Sequence, residues 1–433
     1  MLIKSIFTNS SGILVSRVLG FIRDLLTASI LGANIYSDIF FVAFKLPNLF
    51  RRIFAEGAFT QAFIPSYAKS KNKIRFSSMI FLELFFFLII LSLVVTLFST
   101  LVTKVVAFGF DEATIKLASP LVAINFYYLP LIFCVTFIAA LLQYKNHFAT
   151  TAFSTALLNI AMIIALLISK NMDKYEITFY LSYGVIAGGL LQVAVHLMTM
   201  KRHNLCKIFT FRKHKKKDEN RFYKSFFAAT VGSSTAHISA FLDTWLASFL
   251  VSGSISYLYY ANRVFQLPLA LFAIATSTAL FPMIAKAIKN KDENKALHLM
   301  KKSSLILFVL LFVATLIGTI FNKEIIWLLF ERGAFGSNDT QNTALVLVMY
   351  LLGLVPFGLA KIFSLWLYAN EKQFLAAKIS MKALGANIVF SLLLIIPYKA
   401  AGLAFASTLS GFILLYLTLK EFGFKKVKTL YFM

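Results

Sequence analysis

A succession of apolar runs, each near the length that crosses a bilayer, leaves this chain few ways to fold. A membrane-spanning helix needs about 20 mostly apolar residues. By that ruler the sequence holds about twelve spans, at 12–33, 36–67, 77–102, 116–143, 151–169, 177–200, 222–250, 256–287, 303–321, 340–369, 374–396 and 400–419. A mean hydropathy of +0.79 lies well outside the range of water-soluble domains. The expected fold class is an all-α polytopic membrane protein. The start, MLIKSIFTNSSGILVSRVLG, has no small-residue cleavage site after a clean apolar core, so the first helix is expected to stay as its own insertion signal.

The net charge of +25 would suit nucleic acid, but its distribution argues against that partner. Basic residues gather in short segments between apolar runs, as the positive-inside rule requires. Lys69, Lys71, Lys73 and Arg75 follow the second span, Lys145 the fourth, and a long basic run from Lys201 to Lys224 the sixth. Lys286 to Lys302 follow the eighth, Lys372 the tenth, and Lys425, Lys426 and Lys428 the twelfth. Alternate loops such as LGANIYS and VSGSISY carry no charge. This alternation places both termini in the cytoplasm. The two cysteines, Cys134 and Cys206, are too far apart for a metal or redox motif.

The chain also repeats itself. Residues 28–47 align with 247–268, 63–73 with 281–291, and 127–148 with 353–374. Two six-helix lobes are expected, 1–203 and 221–433, joined by a basic cytoplasmic linker, 204–220, held near anionic lipid. An even number of spans per half gives both the same topology, so a pseudo-two-fold along the membrane normal is expected.

Charge inside the apolar runs carries the functional reading. Residues 11–67 hold Arg17, Arg23, Asp24, Asp38, Lys45, Arg51, Arg52 and Glu56. An ionised group at the centre of a membrane helix costs at least ~2.5–3.5 kcal/mol, so such groups face protein or a wet cavity. Five of the eight are basic, which points to an anionic substrate. Asp38, Lys45 and Arg52 recur every seven residues and fall near one helical face, although Pro47 should kink that helix. Arg17 and Arg23 are six apart and point differently unless Gly20 allows a bend. Arg52 and Glu56, four apart, suit a local ion pair. Arginine offers planar bidentate donors for phosphate oxygens and stays charged in any surroundings, so the set reads as a diphosphate cradle.

In the second half, Asp243 and Arg263 stand out. A lone carboxylate in HISAFLDTWLASFL needs a sodium ion, a relay proton or an ion pair with Arg263. Asn387 and Ser391 sit one turn apart, with Ser407 on the next span; helix–helix hydrogen bonding explains them equally well. Lys361 is expected to snorkel to the cytoplasmic boundary. The six histidines show no metal-ligand spacing, and no nucleotide loop, nucleophile elbow or soluble carboxylate pair is present, so no enzyme is expected.

The stretches SRVLGFIRD, SDIFFVAFKLPNLFRRIFAEGAFTQAFIP and SGSISYLYYANRVFQLP closely resemble the MurJ (MviN) lipid II flippase family, within the multidrug/oligosaccharidyl-lipid/polysaccharide exporter superfamily. The resemblance implies a transporter of the bacterial cytoplasmic (inner) membrane. It would carry lipid II, the undecaprenyl-diphosphate-linked peptidoglycan precursor, to the outer leaflet by alternating access. The family's cavity arginines match Arg17, Arg23, Arg51 and Arg263, and its acidic gate and cavity positions match Asp24, Asp38 and Glu56. Its sodium site falls on Asp243, Asn387, Ser391, the carbonyl of Leu403, and Ser407, with Ser391 standing where the family has a second carboxylate. Sodium or the membrane potential is the expected coupling, with no other cofactor, and cell-wall synthesis machinery the expected protein partner. The family commonly has fourteen helices, the last two helping to hold the polyprenyl tail, and twelve are expected from this sequence.

Other classes fit less well. An exporter of O-antigen or capsule type lipid-linked oligosaccharides shares the cationic cavity. A multidrug antiporter would favour an acidic, aromatic one. An enzyme acting on polyprenyl diphosphates needs clustered acids for magnesium, and these are dispersed. A scaffold leaves the intramembrane arginines unexplained.

Overall fold

The computed structural model describes residues 2–55, 58–205, 222–227, 230, 241–424 and 426, with side chains for all but 2–10 and 52–55. The chain divides into two compact units, Met1–His237 and Ile238–Met433. In the first, α1 spans Leu2–Leu31, α2 Ile35–Ala55, α3 Ala58–Lys69, α4 Lys73–Leu97 and α5 Ser99–Val106. They are followed by α6 at Glu112–Phe126, α7 at Tyr128–Tyr144, α8 at Ala149–Ser169 and α9 at Lys174–Arg202. In the second, α10 spans Ser254–Pro268, a π-helical turn follows at Leu269–Ile274, and α11 spans Ala275–Lys289. Then come α12 at Glu293–Ile320, α13 at Asn322–Phe330, α14 at Ser337–Leu351, α15 at Leu354–Ala369 and α16 at Gln373–Phe422.

Among the described residues, eight helices are long and apolar enough to cross a membrane. The last of these runs for 50 residues, Gln373–Phe422, across a non-helical Lys399. A straight helix would separate Asn387 from Ser407 by ~30 Å at 1.5 Å per residue. Instead Asn387 Nδ2 donates to Ser407 Oγ at 3.2 Å. The helix therefore doubles back near Pro397 and forms two antiparallel arms, where the sequence placed spans 374–396 and 400–419. Gly402 lets the arms meet: a Cβ there would lie 2.1 Å from the Leu394 carbonyl oxygen.

The sequence repeat recurs in the backbone. The span expected at 116–143 breaks at Tyr127, between α6 and α7, and its counterpart at 340–369 breaks at Leu352 and Gly353, between α14 and α15. After each pair the chain turns through a left-handed residue, Asn146 (φ 60°) and Glu371 (φ 58°). The π-helical turn has no equivalent after Pro47, where α2 simply continues. It follows Pro268, whose ring and missing N–H disturb the α-helical ladder there.

Helix packing in the first unit rests on small residues. Along α1, Gly12, Ser16 and Gly20 recur every four residues, and a Cβ on Gly12 would come within 2.8 Å of the Ala152 backbone in α8. On α9, Gly184 and Gly188 face the other side of α8, where a Cβ on Gly188 would meet the Leu158 Cα at 2.8 Å. Lipid tails are as apolar as leucine, so close van der Waals packing between such small residues drives helix association. Gly20 thus serves close approach, and α1 is continuous between Arg17 and Arg23 with no break at the glycine.

Residues 222–227, expected in the second lobe, pack in the first unit. Phe222 is fully buried, with its ring centroid 5.7 Å from Phe59 and 6.2 Å from Phe76, and it stacks on Phe226. Tyr223 Oη donates to Glu83 Oε2 on α4 at 2.7 Å. Aromatic pairs of this kind contribute ~0.5–1.5 kcal/mol each beyond their buried area. The linker stretch 206–220 lies outside the described residues, Cys206 with it. Cys134 is a buried free thiol on α7.

At the ends of α7, α8 and α9, the His147 and His203 rings lie 4.8 Å apart, and His147 Nε2 bonds the Thr150 hydroxyl at 2.8 Å. Burial and the neighbouring His203 hold the His147 pKa below its ordinary value of 6.5. The sign follows from linkage: a depressed pKa in the folded state stabilises above 6.5 and is lost as pH falls through the lowered value. Thermal unfolding in detergent should therefore weaken from pH 7 toward about 5, and His147→Gln should flatten that slope. An unchanged slope would remove the pair as its source.

Candidate functional site

The first unit sets up its site where α1 meets α8. The small stripe Gly12, Ser16 and Gly20 draws the two helices together, so Arg23, one turn further on, reaches α8. Its Nη1 donates to Asn159 Oδ1 at 3.1 Å, and its Nε and Nη2 donate to Asp24 Oδ1 at 3.2 and 2.6 Å. Asn159 Nδ2 in turn donates to the Ser16 carbonyl at 3.0 Å, which fixes the amide between the two helices. Arg23 is only 6% exposed and Asp24 2%, so this is a buried ion pair braced by an amide. Arg17, six residues back, is exposed on another face.

On α2, Asp38 is buried in the first turn, where the positive end of the helix dipole favours a carboxylate. Asn34 opens that helix, its Oδ1 accepting from the Tyr36 N–H at 2.9 Å. Lys45 and Arg51 are half-buried, and Arg51 Nε donates to Asn48 Oδ1 at 2.9 Å. Glu56 and the side chain of Arg52 lie outside the described residues, so their expected ion pair does too.

In the second unit, Arg263 on α10 donates to the Tyr259 hydroxyl at 2.9 Å, with its guanidinium 5.0 Å from that ring's centroid. Stacking of this kind helps hold an arginine in place. Asp243 lies in helical residues 241–247. Of the remaining residues expected to hold a cation, Asn387 and Ser407 are hydrogen bonded to each other across the α16 hairpin. Ser391, one turn from Asn387, is fully buried, and its hydroxyl has no hydrogen-bond partner. Leu403 is buried on the second arm. The donor set is all oxygen, with one carboxylate among neutral groups, and the orphaned Ser391 hydroxyl has spare capacity for a hard monovalent cation. Lys361 is exposed on α15. Among the described residues no three His, Cys, Asp or Glu side chains converge as a metal site.

Sequence reasoning missed Asn159, Asn48 and Tyr259. A signal existed for the first: Asn159 interrupts the apolar run ALLNIAMIIALL, and a buried amide there needs partners.

The fold is shared with transporters of known structure. With only 10% identity, the chain matches a structure titled an inward-facing conformation of a multidrug resistance MATE family transporter of the MOP superfamily, with a TM-score of 0.75 over 98% of both chains. A structure titled "Lipid II flippase MurJ, inward closed conformation" matches with a TM-score of 0.82 and 25% identity, over 98% of this chain and 91% of the other. The family description "Lipid II flippase MurJ" matches residues 27–432. A probable lipid II flippase MurJ of Helicobacter pylori is 51% identical, over 92% of this chain and 90% of that protein. One from Buchnera aphidicola subsp. Acyrthosiphon pisum is 33% identical, over 99% and 85%. The chain belongs to the MurJ lipid II flippase family, and it is a multi-pass membrane transporter rather than an enzyme.

Proposed function

We propose that this chain is a lipid II flippase of the bacterial cytoplasmic membrane, with twelve spans in two lobes and both termini in the cytoplasm. Arg17, Arg23, Arg51 and Arg263 bind the diphosphate of the lipid carrier. The observation that carries this reading is the buried Arg23, whose guanidinium donates to Asp24 and to the neutral amide of Asn159. A diphosphate offers more oxygens and more charge than Asp24 and can take its place on the guanidinium. Asp24 reclaims the arginine once the headgroup leaves, so the empty site stays electrically neutral inside the bilayer. Asp38, Lys45, Arg52 and Glu56 belong to the same exchange of partners. The substrate's headgroup crosses ~30 Å of hydrocarbon while its polyprenyl chain stays in lipid.

Asp243, Asn387, Ser391, the Leu403 carbonyl and Ser407 would hold a sodium ion. Such an ion would supply a charge whose binding biases one conformation over the other. The membrane potential acts on the same charges.

Complementation tests the reading. The chain should restore growth to a bacterium depleted of its lipid II flippase, and it should not rescue a strain lacking its O-antigen exporter. Arg263→Ala should abolish rescue while Tyr259→Phe, which keeps the stacked ring, should retain it. Normal growth with Arg263→Ala would remove the second unit from diphosphate binding.

A further inference from the structure

The second unit contains a cavity of about 540 Å³ between residues 245–251 and the bend of α16. Trp245 and Phe249 form part of one wall, and Leu392 and Ile396 part of the other. Lys399 is the one charged residue among those lining it. Its size falls in the ordinary range for a bound small ligand, roughly 300–1,000 Å³.

Two features say what would fill it. The first is position. Lys399 lies ~39 Å along the first arm of α16 from Gln373, at 1.5 Å per residue. That distance is a bilayer core and a little more, so the lysine sits at headgroup level on the side away from Lys372, Lys378 and Lys382. The second is backbone strain. Lys399 has φ 50° and ψ −131°, a left-handed conformation that glycine adopts freely and lysine does not. A strained lysine at the mouth of an apolar slot places a cation where the head of an amphiphile would lie.

We infer that this cleft binds one acyl chain of an anionic phospholipid, with Lys399 on its phosphate. A single cation matches a phosphodiester monoanion, whereas a polyprenyl diphosphate carries more charge than one lysine answers. The cleft's volume of about 540 Å³ also suits one acyl chain better than a far longer polyprenyl chain. No arginine is among the residues that line the cleft. The cleft makes the second unit sensitive to the anionic lipid content of its leaflet.

Tryptophan fluorescence tests this. The chain has three tryptophans, so Trp327→Phe with Trp366→Phe leaves Trp245 as the sole reporter inside the cleft. The full chain is reconstituted in unbrominated phosphatidylcholine with a minor fraction of brominated phosphatidylglycerol or brominated phosphatidylcholine. Brominated phosphatidylglycerol should quench Trp245 with about fivefold higher apparent affinity, the effect of one lysine near the surface. Lys399→Gly removes the charge and relieves the backbone, so it should fold normally and bring the two lipids to parity. Equal quenching by both lipids in the starting protein would overturn the proposal, as would a preference that survives Lys399→Gly. Relief of quenching by added polyprenyl phosphate, but not by unbrominated phosphatidylglycerol, would assign the cleft to the carrier chain and overturn it equally.

Discussion

Arg23→Ala is expected to abolish rescue of a flippase-depleted strain, and to do so for two separable reasons. Arg23 and Asp24 form a buried ion pair, with a shortest distance of 2.6 Å. Removing one partner of such a pair costs ~3–5 kcal/mol, because the remaining charge loses its counter-ion in a low-dielectric site. The single substitution therefore lowers stability as well as activity, and growth alone would not distinguish them. The double variant Arg23→Met with Asp24→Leu does. Replacing both charges by apolar groups of similar volume is often neutral or stabilising by ~1–4 kcal/mol, so detergent melting should return to the starting value or above it. Rescue should remain absent, since the diphosphate loses the buried guanidinium of the four proposed to bind it. If the double variant restores growth along with stability, Arg23 is a structural cation and the exchange mechanism fails. Arg23→Lys refines the test. It keeps the charge but cannot reach Asp24 and Asn159 together in the planar fork that arginine uses, so it should insert normally and rescue weakly. Asn159→Ala should fall between, because the guanidinium keeps Asp24 but loses the amide that braces α1 against α8.

How much of this was legible beforehand depends on the range of the interaction. Apolar runs set by bilayer thickness are local, so the all-helical membrane class could be read directly; the α16 hairpin falls where two spans were expected, around Pro397 and Lys399. The repeat was legible for the same reason, since like segments break alike at Tyr127 and Gly353. The charges that matter could be listed, but not their partners. Asn159 lies 136 residues from Arg23, and no spacing rule spans that distance. Gly20 looked like a hinge because a glycine's conformational freedom is visible in sequence, while the neighbour it admits is not. Residues 222–227 were assigned by position after a basic linker, yet Phe222 belongs with Phe59 and Phe76 because three phenylalanines from distant segments fit together.

Gly402→Ala should produce the largest stability loss of any single methyl addition to α16. The added Cβ would stand 2.1 Å from the Leu394 carbonyl oxygen and 2.7 Å from its carbon. Both are backbone atoms, so no side-chain rotation relieves the clash, and the two arms of the hairpin must part. Overpacking of this kind costs ~1–3 kcal/mol where neighbours can shift, and a rigid backbone neighbour puts the cost at or above the upper end. The parting also separates Asn387 from Ser407, now 3.2 Å apart, so any ion held by those oxygens should be lost with it. Gly385→Ala is the matched control on the same helix. Nothing lies within 4 Å of a Cβ there, and alanine in a helix interior is favoured over glycine by ~0.5–1 kcal/mol. Thermal unfolding of the purified proteins should therefore move in opposite directions, down for Gly402→Ala and level or up for Gly385→Ala. If both variants shift together, the arms of α16 are not held by the contact at Gly402, and the hairpin must owe its closure to the lipid around it.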